Sequence, residues 1–139
     1  MISKLLVAYD GSEKSKKALN LASEIAKLSN AELIILTVVN TCIETMGPPV
    51  NEYLSKLKEE ANKKIDEAIQ IAKNNGVIRV RGEVIEGEPS SVITEYAEKE
   101  GVDMIFIGNR GLSKLKKIFI GSVSQGVLEL SKNPVVVVK

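Results

Sequence analysis

Glu32-Leu33-Ile34-Ile35-Leu36-Thr37-Val38-Val39 is an unbroken apolar run behind a single acidic residue. A strand with one wet face alternates apolar and polar side chains. A continuous run rich in Ile, Leu and Val is instead the pattern of a strand covered on both faces, as in parallel sheets. The residues before it are helical in spacing: Ala18, Leu21, Ala22, Ile25, Ala26 and Leu28 form one stripe, with Ser12 as N-cap and Asn30 at the end. Further back, Ile2 to Tyr9 is a second apolar run of strand length, closed by Asp10-Gly11-Ser12. The first forty residues or so therefore read as strand, helix, strand, roughly the length of a parallel crossover unit.

The same alternation continues downstream. Asn40 to Val50, with Gly47-Pro48-Pro49, reads as a loop, and Asn51 to Asn75 as a long helix striped by Leu54, Leu57, Ala61, Ile65, Ala68, Ile69 and Ala72. Asn75-Gly76 stops it. Val77 to Glu86 alternates apolar residues such as Ile78 and Val80 with Arg79 and Arg81, which predicts a third strand, less buried and at a sheet edge. Gly87-Glu88-Pro89-Ser90 opens a third helix that ends at Gly101, and Asp103 to Ile107 forms a fourth strand running into Gly108-Asn109-Arg110-Gly111. After a basic stretch through Lys117, Gly121-Ser122 begins a fourth helix, and Pro134 leads Val135-Val136-Val137-Val138, a fifth strand. The expected fold is α/β: a single domain over residues 1–139, with an open five-stranded parallel sheet, doubly wound, and helices on both faces.

Composition narrows the function. Lys and Arg number 19 against 18 for Asp and Glu, which argues against a nucleic-acid binder working through a broad basic face. The chain has no His, which removes histidine acid–base chemistry, Ser-His-Asp and Cys-His nucleophiles and His-based zinc sites. One cysteine, Cys42, cannot close an internal disulfide, so a reducing, cytoplasmic setting is expected. No apolar run reaches the roughly 18 residues of a membrane span, and the N-terminal residues do not read as a signal peptide.

The informative constellation is Gly108-x2-Gly111-x9-Gly121-Ser122, beginning at a strand's C-terminal end. Glycines permit close backbone approach and positive φ, so successive N–H groups can cradle an anion. Ser122 adds a hydroxyl, and the helix starting there adds free N–H groups and a positive dipole end. The P-loop pattern fails, because Val127-Leu128 stands where Lys and Ser or Thr are required, and the Gly-x-Gly-x-x-Gly dinucleotide pattern is absent. Asp10 either approaches a ribose hydroxyl or a phosphate-bound metal, or caps a turn through its own side chain. Arg110, Lys114, Lys116 and Lys117 flank the glycine turn as anion contacts or as a solvated basic face. Gly126 lies inside the fourth helix, where close helix packing is the reading favoured. If the strand order reverses between the first and fourth strands, Asp10 and the Gly108 turn face one crevice.

Taken in order, Val7-Ala8-Tyr9-Asp10-Gly11-Ser12, Gly87-Glu88-Pro89, Gly108-Asn109-Arg110-Gly111, Gly121-Ser122-Val123-Ser124 and Asn133-Pro134-Val135-Val136-Val137-Val138 resemble the universal stress protein family along nearly the whole chain. The glycine spacing resembles its ATP-binding branch, with Asn109 where a small residue is commoner. The resemblance implies strand order 3-2-1-4-5, a homodimer through the C-terminal strand, and ATP held with a divalent ion, Mg or Mn, through the phosphates. It also implies a binding set of Asp10, Gly11, Val38, Val39, Gly108, Arg110, Gly111, Gly121, Ser122 and Val123, in which the main chain at Val38 or Val39 meets adenine. The expected function is an ATP-binding stress-response regulator, or switch, acting on a protein partner of unknown identity. The alternatives are a slow or partner-stimulated ATPase or phosphotransferase, and a dimeric interaction module without nucleotide. With no His and no second carboxylate that the sequence places beside the phosphates, fast hydrolysis is not expected. Glu88 also follows a strand, but one expected to lie away from them.

Overall fold

The structure is a computed structural model that describes residues 1–41, 50–109 and 122–139. Over these residues the chain runs β1 (Lys4–Ala8), α1 (Glu13–Ser29), β2 (Glu32–Asn40), α2 (Val50–Asn74), β3 (Val80–Gly87), α3 (Pro89–Glu100), β4 (Met104–Gly108), α4 (Ser122–Leu130) and β5 (Val135–Val138). Every strand pairing is parallel, and the order is β3-β2-β1-β4-β5. The chain thus winds outward from β1 to β3 and returns to the other side of β1 for β4. The order reverses between β1 and β4, the place where such sheets open a crevice at the strand C-termini.

The apolar runs are continuous because both sheet faces are covered. Leu5, Val7, Leu33, Ile35 and Phe106 pack against Ala18, Leu19 and Ala22 of α1 and Ile65 and Ala68 of α2. Their neighbours along the strands, Leu6, Ile34, Leu36, Ile105 and Ile107, turn to the opposite face and meet Ile93, Tyr96 and Ala97 of α3 and Val127 of α4. Each fully buried Leu or Ile contributes roughly 1.5–3 kcal/mol, so the two layers supply the main driving force for the fold.

Local signals set the helix ends. Ser12 is the N-cap of α1, its Oγ accepting the Ser15 N–H at 3.2 Å, and Asn30 stops the helix in the left-handed region at φ 58°. Pro89 opens α3 behind Glu88, whose two carboxylate oxygens accept the Ser90 and Ser91 N–H groups at 3.1 and 2.9 Å. Gly126 faces the first turn of α3: a Cβ there would stand 2.2 Å from Ser90 Oγ and 2.7 Å from Ser90 Cβ. The missing side chain is what lets α4 lie close on α3.

Several boundaries shift by a residue or two from expectation, and two of the shifts have a clear physical reason. β3 begins at Val80 rather than Val77, because Gly76 at φ 95° ends α2 with a turn in which the Val77 N–H bonds the Ala72 carbonyl at 3.1 Å. Val77 is buried under that helix stop, while Ile78 is 84% exposed. At the other end of the neighbouring strand, β2 runs on to Asn40, which reads in the sequence as the first loop residue. Its pairing with β3 continues to the Asn40–Gly87 rung. β3 lies at the sheet edge, as its mixed composition predicts.

Candidate functional site

The C-terminal ends of β1, β2 and β4 and the first turns of α1, α3 and α4 surround a cavity of about 430 Å³. Its wall has two characters. Near β1 and β4 it carries the polar groups of Asp10, Ser12, Ser15, Ser122 and Ser124 among the apolar Ala8, Ile107 and Val123; near β2 and α3 it is aliphatic, built from Leu36, Val38, Pro89 and Ile93, with Asn40 at the end of β2. Three helices begin at this cavity, those of α1 and α3 with N-terminal N–H groups already capped by Ser12 and by the Glu88 carboxylate.

Hydrogen bonds hold the polar wall in shape. Asp10 Oδ1 accepts the Ser12 N–H at 2.9 Å, the turn-capping geometry that is one of the two readings of this residue. Ser15 Oγ donates to the Ser12 carbonyl at 2.9 Å, and Thr37 Oγ1 donates to the Tyr9 carbonyl at 2.8 Å, tying the end of β1 to β2. Across the crevice, the buried Ser124 Oγ donates to the Gly108 carbonyl at 2.9 Å and joins α4 to the end of β4. The Asn109 N–H donates to the Val138 carbonyl at 2.7 Å, extending the β4–β5 pairing by one step. Tyr9 directs its hydroxyl to Glu67 on α2 at 3.5 Å, and burial together with that carboxylate raises its pKa to about 12. Glu88 is spent on capping α3, and the Ser91 and Ser90 N–H groups hold its pKa below the usual glutamate value.

Of the residues expected to bind nucleotide, Asp10, Val38, Gly108, Ser122 and Val123 meet around the cavity. Gly11 and Val39 do not line it. Gly11 supplies the positive φ, 84°, with which the chain turns out of β1, and Val39 is buried on the face of β2 opposite Val38 and Asn40. Arg110, Gly111 and Gly121 lie outside the described residues, as do Lys114, Lys116, Lys117 and Cys42. Gly108 also has a packing role. It is not in the positive-φ region, and a Cβ there would stand 2.5 Å from the Lys14 carbonyl carbon and 2.7 Å from Ser15 N. Its bare backbone makes room for the first turn of α1. Sequence reading missed Asn40, Ser15 and Pro89 as lining residues; Asn40 had the same signal as Asp10, a polar residue directly ending an apolar strand.

A family model for the universal stress proteins matches residues 1–139. The chain belongs to the universal stress protein family. It is 37% identical over 151 residues to universal stress protein YxiE of Bacillus subtilis, covering 100% of each chain. Among solved structures it is similar to the protein MJ0577 of Methanocaldococcus jannaschii, with 33% identity, a TM-score of 0.85, and 100% of this chain and 96% of that one covered. It is also similar to a universal stress protein crystallised in complex with cAMP, with 29% identity, a TM-score of 0.76, and 99% and 97% of the chains covered. Among the described residues of this universal stress protein, no helix is long and apolar enough to cross a membrane, and no three His, Cys, Asp or Glu side chains gather as metal ligands.

Proposed function

We propose that this universal stress protein binds ATP in the cavity at the ends of β1, β2 and β4 and acts as a nucleotide-dependent regulator of a stress response in the cytosol. The observation that carries the reading is the two-sided wall: an aliphatic slot beside Val38 and Ile93 suits a flat base, and the Gly108–Ser122 end suits ribose and phosphates. A relative solved with cAMP makes adenine nucleotides the ligand class to test. Asp10, Val38, Gly108, Ser122 and Val123 form the proposed site, with Gly11 and Val39 supporting it from the backbone. Arg110, Gly111 and Gly121, which lie outside the described residues, are proposed as further phosphate contacts on the family resemblance. Mg or Mn enters with the phosphates, because Asp10 is the carboxylate that lines the cavity among the described residues.

The reading is of a switch rather than a fast enzyme. Phosphoryl transfer needs a group to position the nucleophile, and Glu88 is occupied as a helix cap. β5, with four valines at the sheet edge, is proposed to pair with its copy in a homodimer. Mass spectrometry of nucleotide released from gently purified protein, followed by calorimetric titration with ATP, tests the binding; the absence of both nucleotide and heat overturns it. Sustained phosphate release at roughly 1 per second or faster would identify an enzyme instead.

A further inference from the structure

We infer that Ser124 is a positioning residue for the phosphates: its buried hydroxyl occupies the Gly108 carbonyl, which would otherwise turn a bare negative dipole toward an anionic ligand. The hydroxyl thereby sets how strongly the site prefers a phosphorylated ligand to an uncharged one. The inference rests on the nucleotide reading above and adds to it a residue that acts through the backbone of β4.

The direction of that carbonyl follows from the peptide plane. The Asn109 N–H donates to the Val138 carbonyl at 2.7 Å, so it points to β5. The C=O of the same trans peptide belongs to Gly108 and points the opposite way, toward β1. Pairing between β1 and β4 ends at the Ala8–Ile107 rung. One more parallel step would bring the Asp10 N–H to the Gly108 carbonyl. The chain has left the sheet by then: the Asp10 N–H reaches Ser15 Oγ at 3.4 Å, and Gly11 turns at φ 84°. The last carbonyl of β4 has therefore lost its ladder donor at the point where the strand order reverses.

Ser124 supplies the replacement. From the first turn of α4 its Oγ donates to the Gly108 oxygen at 2.9 Å, and the side chain is 1% exposed. Gly108, Ser122 and Ser124 all line the cavity. A peptide oxygen carries partial negative charge and repels a phosphate oxygen brought close to it, whereas one already accepting a hydroxyl proton is largely screened. The same bond fixes the start of α4 against the end of β4, and a helix start is the element that attracts an anion. Both effects act on phosphates. Neither acts on a base held in the aliphatic slot of Leu36, Val38, Pro89 and Ile93.

The test compares ATP with adenosine, which lacks the phosphates, in the wild-type protein and in Ser124→Ala. Calorimetry follows ATP, and ligand-observed NMR follows adenosine. Ser124→Ala is expected to weaken ATP roughly tenfold, the scale of a buried acceptor left unsatisfied, and to change adenosine by less than about twofold. Ser124→Cys keeps the side chain's place but donates only weakly. It repeats the comparison should the Ala protein lose its thermal transition, with a smaller loss of the same kind expected. A folded variant with wild-type ATP affinity, or one that loses ATP and adenosine equally, overturns the role of Ser124 while leaving the nucleotide site standing. A wild-type protein that binds neither ligand overturns both.

Discussion

Replacing Gly108 with Ala separates a ligand role from a packing role. The added Cβ would stand 2.5 Å from the Lys14 carbonyl carbon, 2.7 Å from Ser15 N and 2.8 Å from Lys14 Cβ. Carbon atoms in good contact lie about 3.5–4.0 Å apart, so roughly 1 Å must be found between β4 and α1. Two of the three atoms are main chain and cannot rotate away. The helix start is also pinned, by the Ser12 cap and by Ser15 Oγ on the Ser12 carbonyl. Overpacking of this kind costs typically 1–3 kcal/mol. Alanine recovers about 0.4–1 kcal/mol by restricting the unfolded chain, because Gly108 is in a strand and not in the left-handed region. The net loss is about 1–2 kcal/mol, or about 3–6 °C in Tm for a chain of this size. Thermal unfolding without nucleotide measures it. A glycine needed only for phosphate approach would let that Tm rise by the unfolded-chain gain, and an unchanged or higher value refutes the packing account.

Other consequences are open to equally direct measurement. Gly126→Ala gains about 1 kcal/mol of helix propensity but drives a Cβ into Ser90, so a net destabilisation of about 1 kcal/mol is expected; combining it with Ser90→Gly should restore much of the loss, and no recovery in a melt would count against the contact. Asp103 Oδ2 accepts the Ser3 and Lys4 N–H groups at 2.8 and 3.0 Å, and those bonds hold its pKa below the ordinary 3.8. A depressed carboxylate stabilises the fold fully above its unfolded-state pKa and loses that contribution as pH falls through the folded value, so Tm should drop below about pH 4. Asp103→Asn should be less stable at neutral pH and show a shallower acid decline; an identical acid profile would contradict this. Sedimentation should show a dimer, and a monomer throughout the micromolar range would remove β5 as the pairing edge.

The parts of the fold legible in the sequence were those set by local chemistry. Runs without alternation announced buried strands, and Ser12, Asn30, Pro89 and Gly101 marked helix ends that stand where they were expected. Strand order was not legible from periodicity; it came with the family resemblance, and the observed order agrees. The errors arose where two neighbouring elements compete for the same residues. Val77 reads as strand but packs under the stop of α2, and Asn40 reads as loop but pairs with Gly87. Half of the expected nucleotide set meets around the cavity, and sequence spacing alone could not reveal the far wall of α3, because Pro89 and Ile93 reach it only through the fold.

Glycine shows most clearly why the site was only partly readable. A glycine near a strand end in a phosphate-like spacing carries the same letter whether it clears space for a ligand or for another helix. In this protein Gly108 admits the first turn of α1 and Gly126 admits that of α3, while Ser124, two residues before Gly126, ties α4 to the Gly108 carbonyl. The three helix starts that line the cavity are thus positioned against one another through absent side chains and one buried hydroxyl. Ligand contacts can vary without moving this frame, but a methyl group at either glycine displaces a helix start, and with it the N–H groups that face the cavity. The spacing of small residues therefore constrains the shape of the site before it constrains the identity of what binds there.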